Sequence, residues 1–92
     1  MEPEGFEWDP AKNASNRRRH RIDFEDALAV FDDPGMVGWL YSDPEDDEER
    51  FMAVGRVGWD IVSVVYTPRG DKRRLISARK ANRNERREYG QG

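Results

Sequence analysis

The run from Trp59 to Tyr66 most limits what this chain can become. Trp59, Ile61, Ser63 and Val65 alternate with Asp60, Val62, Val64 and Tyr66, and both sets are mainly apolar near the middle. A strand with two apolar faces belongs inside a sheet that is covered on both sides. The rest of the chain must therefore give it neighbours along both edges and a layer over each face. Arg50 to Val57 reads as one neighbour, the first arm of a hairpin that pivots near Gly58. After a turn over Thr67-Pro68-Arg69-Gly70-Asp71, Leu75-Ile76-Ser77-Ala78 has the β-branched and apolar character of a last strand. Met36 to Tyr41 reads as a further strand, with Gly38 as a weak point, and Phe6-Glu7-Trp8 as a short edge strand.

The covering layers come from helices. Asp9 followed by Pro10 is an N-cap with proline at the first helical position, and the helix runs to about His20. Its small residues Ala11 and Ala14 predict a close approach to the sheet, while Arg17, Arg18 and Arg19 sit favourably at the negative end of its dipole. Asp23 caps a second helix, with Asp26 three residues on, and Phe24, Ala27, Leu28 and Phe31 form its apolar stripe. Asp32-Asp33-Pro34-Gly35 ends it. Asn82 and Glu85 have the spacing of a capping box, so a last helix places Asn82, Glu85, Arg86 and Tyr89 on one stripe. That helix has almost no apolar stripe beyond Tyr89, so it is either mobile or docked by polar contacts. The expected fold is a single α+β domain over residues 1–92: a short N-terminal strand, two helices packed on one sheet face, a four-stranded antiparallel meander and a C-terminal helix.

Charge adds direction. Residues 12–21 carry five Lys or Arg and no acid, residues 22–60 twelve acids against two arginines, and residues 61–92 nine basic residues against three acids. The net charge of -3 thus hides two basic segments flanking an acidic middle, which attract an anionic polymer if they converge. With 36% hydrophobic against 38% charged residues, the core is small and a covering partner adds stability. The absence of cysteine removes disulfides and thiolate zinc sites, and the single histidine removes a histidine-rich metal site. The acidic stretch from Ser42 to Arg50 lacks the turn glycine and ligand spacing of a calcium loop, so neither a metal nor another cofactor is expected. No apolar signal region or membrane-length run is present, and the expected location is the cytoplasm.

Several stretches in order, FEWDPAKNASNRRRH, DFEDALAVFDDP, EERFMAVG and SARKANRNERREY, resemble the BrnT family of bacterial toxins from about Phe6 to Tyr89. His20-Arg21 stands where that family usually has His-Gly, so its glycine turn is altered. The E-E-R-F element matches at Glu48 to Phe51, the T-x-R-G turn at Thr67, Arg69 and Gly70, and the last two elements at Ile76 to Arg79 and Glu85 to Tyr89. The resemblance implies a RelE-like fold and an endoribonuclease that arrests growth. It also implies a BrnA-type antitoxin with a DNA-binding segment, through which the pair reaches operator DNA only indirectly.

Cleaving RNA without a metal takes a base for the 2′-hydroxyl, a cation for the crowded phosphate, and an acid or water for the leaving oxygen. Glu85 and His20 are candidate bases, imidazole being the side chain that exchanges protons near neutral pH. Arg79 and Arg86 are candidate phosphate ligands because a planar guanidinium holds two oxygens together. Tyr89 is a candidate for proton donation or base stacking. Arg50, Arg69, Arg73, Arg74 and Lys80 are candidates for steering and positioning RNA. Trp8, Trp39 and Trp59 read as core or partner-facing anchors. A non-catalytic RNA- or DNA-binding module and a protein-interaction subunit are the alternatives.

Overall fold

Asp9 and Pro10 start the first helix as their chemistry dictates. In the computed structural model, which describes residues 4–42, 44–45 and 47–90, the Asp9 carboxylate accepts from the Ala11 amide at 2.9 Å. Helix α1 spans Pro10–His20 and ends on Arg21. Arg21 has φ 62, the left-handed conformation that glycine adopts without penalty, and its amide closes the turn on the Arg17 carbonyl at 2.9 Å. A side chain there is strained, so Arg21→Gly is expected to raise the unfolding free energy by about 1 kcal/mol, read as a higher denaturant midpoint with an unchanged slope.

The second helix is broken in two, α2 (Phe24–Ala27) and α3 (Ala29–Asp32). Asp23 caps α2 through the Glu25 amide at 2.9 Å. At the break the Leu28 amide bonds the Glu25 carbonyl and the Phe31 amide bonds the Leu28 carbonyl, a spacing of three. Three-residue turns eclipse side chains at i and i+3. The fully buried residues are accordingly Phe24, Ala27 and Val30, and the expected Leu28 and Phe31 are only half-buried. Val30 lies against Gly55 so closely that a Cβ at Gly55 would meet the Val30 Cγ1 and carbonyl oxygen at 3.0 Å each.

The sheet has five strands in the order β1-β5-β4-β3-β2. These are β1 (Phe6–Glu7), β2 (Val37–Leu40), β3 (Phe51–Val57), β4 (Asp60–Arg69) and β5 (Lys72–Lys80). All neighbours are antiparallel except β1, which runs parallel to β5 for two residues. Thr67 to Arg69, expected in a turn, belong to β4, and the reversal is confined to Gly70 and Asp71. β4 is the central strand, as its two apolar faces require. Val62 and Val64 join Ala53, Leu75 and Ala78 under α2 and α3, while Val65 joins Met52 and Val54 on the opposite face. Helix α4 (Arg83–Gly90) lies on that second face. Trp8 packs edge-on against Phe24 and Trp39 joins the second cluster, whereas Trp59, at the hairpin tip, is 97% exposed.

Helix α1 departs from expectation. Ala11 is exposed and Asn16 is its single buried side chain. The helix flanks the edge of β5 where β1 has ended. There the Asn16 carboxamide donates to the Ala78 carbonyl at 2.8 Å and accepts from the Ala78 amide at 3.1 Å, as a neighbouring peptide group would. It also donates to the Ile22 carbonyl at 3.0 Å. Asn13, one turn earlier, accepts from the Phe24 amide at 2.9 Å. Two asparagines three apart thus do by hydrogen bonding what an apolar stripe does elsewhere. Among the described residues no helix is long and apolar enough to cross a membrane. Asp43 and Asp46 of the acidic stretch lie outside those residues.

Candidate active site

β5 carries the site because of its register. Opposite Ser63 stands Arg79, opposite Val65 stands Ser77 and opposite Thr67 stands Arg74, so these side chains share the second face with Met52 and Val54. By the same alternation Arg50 and Tyr41 point to that face from the ends of β3 and β2. A register shift beside Tyr66 leaves Ile76 extra and turns it to this side as well.

Asn82 and Glu85 form the expected capping box. The Glu85 amide donates to the Asn82 side chain at 2.8 Å and the Asn82 amide donates to Glu85 Oε1 at 3.0 Å. The same carboxylate accepts from the Ser63 hydroxyl at 2.8 Å. It also takes both arms of the Arg79 guanidinium, Nη1 to Oε1 at 2.7 Å and Nη2 to Oε2 at 2.8 Å. Glu85 is 6% exposed. Burial alone would push its pKa up, but Arg79, the Asn82 amide and Ser63 outweigh burial and hold it at about 2. The carboxylate is therefore ionised and fully engaged, a weak proton acceptor near neutral pH. Its bonds raise the Arg79 pKa further, and the Tyr41 phenol lies against the same guanidinium.

Tyr89 closes the other end of α4. Its hydroxyl donates to Asp33 Oδ2 at 2.7 Å, and the same carboxylate accepts from the Arg56 amide at 2.8 Å and, through Oδ1, from the Gly35 amide at 2.8 Å. The bond from Tyr89 and these amides lower the Asp33 pKa. Helix α4 thus crosses the second face from β5 to the end of α3, docked by polar contacts, one of the two outcomes that its composition left open. Arg86 is exposed on its outer side, with no side-chain bond among the described residues.

The remaining candidates divide. His20, half-buried, lines a cleft beside β5 together with Ser77. Lys80 reaches Asp60 at 3.9 Å. At the other end of β5, Arg74 binds Glu7 at 2.8 Å and Arg69 approaches it at 3.9 Å. The Arg73 guanidinium lies 5.2 Å from the centre of the Phe31 ring and 5.8 Å from those of Phe6 and Tyr66. That group sits about 20 Å from Arg79, the rise of six strand residues. Arg50 is half-buried, and its Nε is buried with no partner among the described residues. Residues missed by the sequence reading are Ser63, Tyr41 and Asp33. Ser63 carried a signal, being the one aliphatic hydroxyl within IVSVVY.

Over residues 8–85 the chain matches the family described as ribonuclease toxin, BrnT, of type II toxin-antitoxin system. No curated protein matches it. With 78 of 92 positions inside that match, the chain belongs to the BrnT family of ribonuclease toxins.

Proposed function

We propose that this toxin is a metal-independent endoribonuclease of RelE-like fold, active in the cytoplasm and neutralised by a BrnA-type antitoxin whose DNA-binding segment links the pair to operator DNA. The observation that carries the reading is the Arg79 guanidinium, held in a fork by an ionised, buried carboxylate on a sheet face that bears further arginines. A cation fixed before substrate arrives stabilises the charge that develops on a pentacoordinate phosphate without reorganising. Arg79 and Arg86 serve the phosphate. His20 takes the 2′-hydroxyl proton, the 2′-oxygen bonds to phosphorus, and the bond to the 5′-oxygen breaks, that oxygen being protonated by water. Glu85 positions Arg79, and its pKa of about 2 favours His20 over it as the base. Tyr89, bonded to Asp33, holds α4 in place for Arg86. Arg50 and Lys80 steer the strand, and Arg69, Arg73 and Arg74 extend that role to the far end of β5. The antitoxin has exposed apolar groups to cover in Met36, Leu40 and Trp59.

The test is to incubate the purified chain with single-stranded RNA in excess chelator. Cleavage to 2′,3′-cyclic phosphate ends is expected. A salt-sensitive shift of intact RNA would mean a binder without catalysis, and no interaction would leave a protein-interaction subunit.

A further inference from the structure

We infer that the cleft between α1 and the open edge of β5 is a second phosphate subsite, one that seats the RNA backbone next to the scissile linkage; the inference rests on the ribonuclease reading above. Lys12, Ser15, Asn16, Arg19 and His20 occur at i, i+3, i+4, i+7 and i+8, which is one face of a helix. In a helix packed on a sheet that stripe is apolar. Here it is polar or basic throughout, and it lines a cleft of about 270 Å³ closed on the other side by Ser77 and Ile76. Only Asn16 is used for packing, so the stripe is not explained by burial.

Charge points to the occupant. No carboxylate lines the cleft. Lys12 and Arg19 have no acidic partner among the described residues, so nothing there neutralises the positive charge of the cleft. Two unpaired cations with two hydroxyls between them fit a phosphate diester. The favourable dipole at a helix C-terminus explains arginines there in general. It does not separate Arg19 from Arg18, which lies on the opposite stripe with Ala14, Arg17 and Arg21. Position relative to the active site completes the case. Ser77 is two residues before Arg79 on the same strand and face, about 7 Å away. A strand whose scissile phosphate rests on Arg79 thus brings a neighbouring phosphate to the cleft.

The pair Arg18 and Arg19 makes the experiment, since replacing either removes one charge from the same helix turn. KM and kcat for a single-stranded RNA are measured against NaCl concentration for the wild type, Lys12→Ala, Arg19→Ala and Arg18→Ala, with melting curves to confirm folding. Lys12→Ala and Arg19→Ala are expected to raise KM about tenfold each, more than they lower kcat, and to reduce the logarithmic salt slope by about 0.7 each. Arg18→Ala is expected to leave KM within about twofold of the wild type. If all three variants behave alike, the effect is net charge and the subsite does not exist. If the wild type cleaves nothing, the catalytic reading fails while the subsite is still tested, by titrating the same variants with a short 2′-O-methyl RNA. Unchanged affinity in that titration overturns the inference, including where the two substitutions weaken antitoxin binding instead.

Discussion

Arg79→Ala is expected to abolish RNA cleavage and to lower the melting temperature by about 15 °C or more. Both losses come from one pair. Removing one partner of a buried, bidentate ion pair leaves the other charge without compensation and costs about 3–5 kcal/mol. Glu85 is that other charge, with its side chain 8% exposed and fixed in place by the capping box and Ser63. In a domain of this size each kcal/mol moves the midpoint by about 4–8 °C. Arg79→Lys separates the two roles. A lysine still neutralises Glu85, so most stability returns, but it cannot hold a phosphate in a planar fork, and cleavage should stay at least about a hundredfold down. Recovery of both by lysine would mean that charge alone matters. The pair also sets the response to acid. Glu85 has its pKa lowered from 4.5 to about 2, so the folded state binds its proton less readily than the unfolded chain. The resulting stability, about 3 kcal/mol, is complete above the ordinary carboxylate pKa and is lost as pH falls toward 2. A pH series of urea midpoints should show that acid limb in the wild type and a flatter one in Arg79→Lys, whose looser contact shifts Glu85 less.

Asn16→Ala is expected to cost about 3–5 kcal/mol, as much as losing the ion pair, although Asn16 touches no candidate catalytic group. The substitution removes bonds to both the amide and the carbonyl of Ala78 and to the Ile22 carbonyl. Water does not replace them readily, because Asn16 is 5% exposed and Ala78 fully buried, and each buried polar group left unpaired costs about 1–3 kcal/mol. Hydrogen exchange gives the diagnostic. The Ala78 amide, whose bond goes to Asn16, should exchange far faster in the variant, while the β5 amides paired with β4 stay protected. A cost below about 1 kcal/mol would show that the β5 edge is satisfied without Asn16.

These two residues also mark how far the sequence could be read. Periodicity located every strand and the first and last helices, because a two-faced apolar strand and capped helix starts are local signals. The capping box at Asn82 and Glu85 was legible for the same reason. That Glu85 also grips Arg79 and Ser63 was not, since the pairing of β4 with β5 is what brings residue 63 beside residue 79. Asn16 was read merely as a helical residue, because a carboxamide standing in for a missing strand leaves no pattern in the chain. The break at Leu28 was missed since the i, i+3, i+4 stripe of Phe24, Ala27 and Leu28 suits a continuous helix, and seating on Gly55 shifted burial to Val30. The basic segments do converge on β5, with α1 beside its Arg79 end, but Arg69, Arg73 and Arg74 gather at the other end, a separation that net charge by segment does not reveal.

Gly55 fixes where the molecule has slack. The Val30 backbone and its Cγ1 leave no room there for a side chain, so α3 has little freedom to shear across β3 when a partner arrives. Any adjustment to an antitoxin is left to the C-terminal turn of α4, where the Tyr89–Asp33 bond can open while the Glu85–Arg79 pair stays closed.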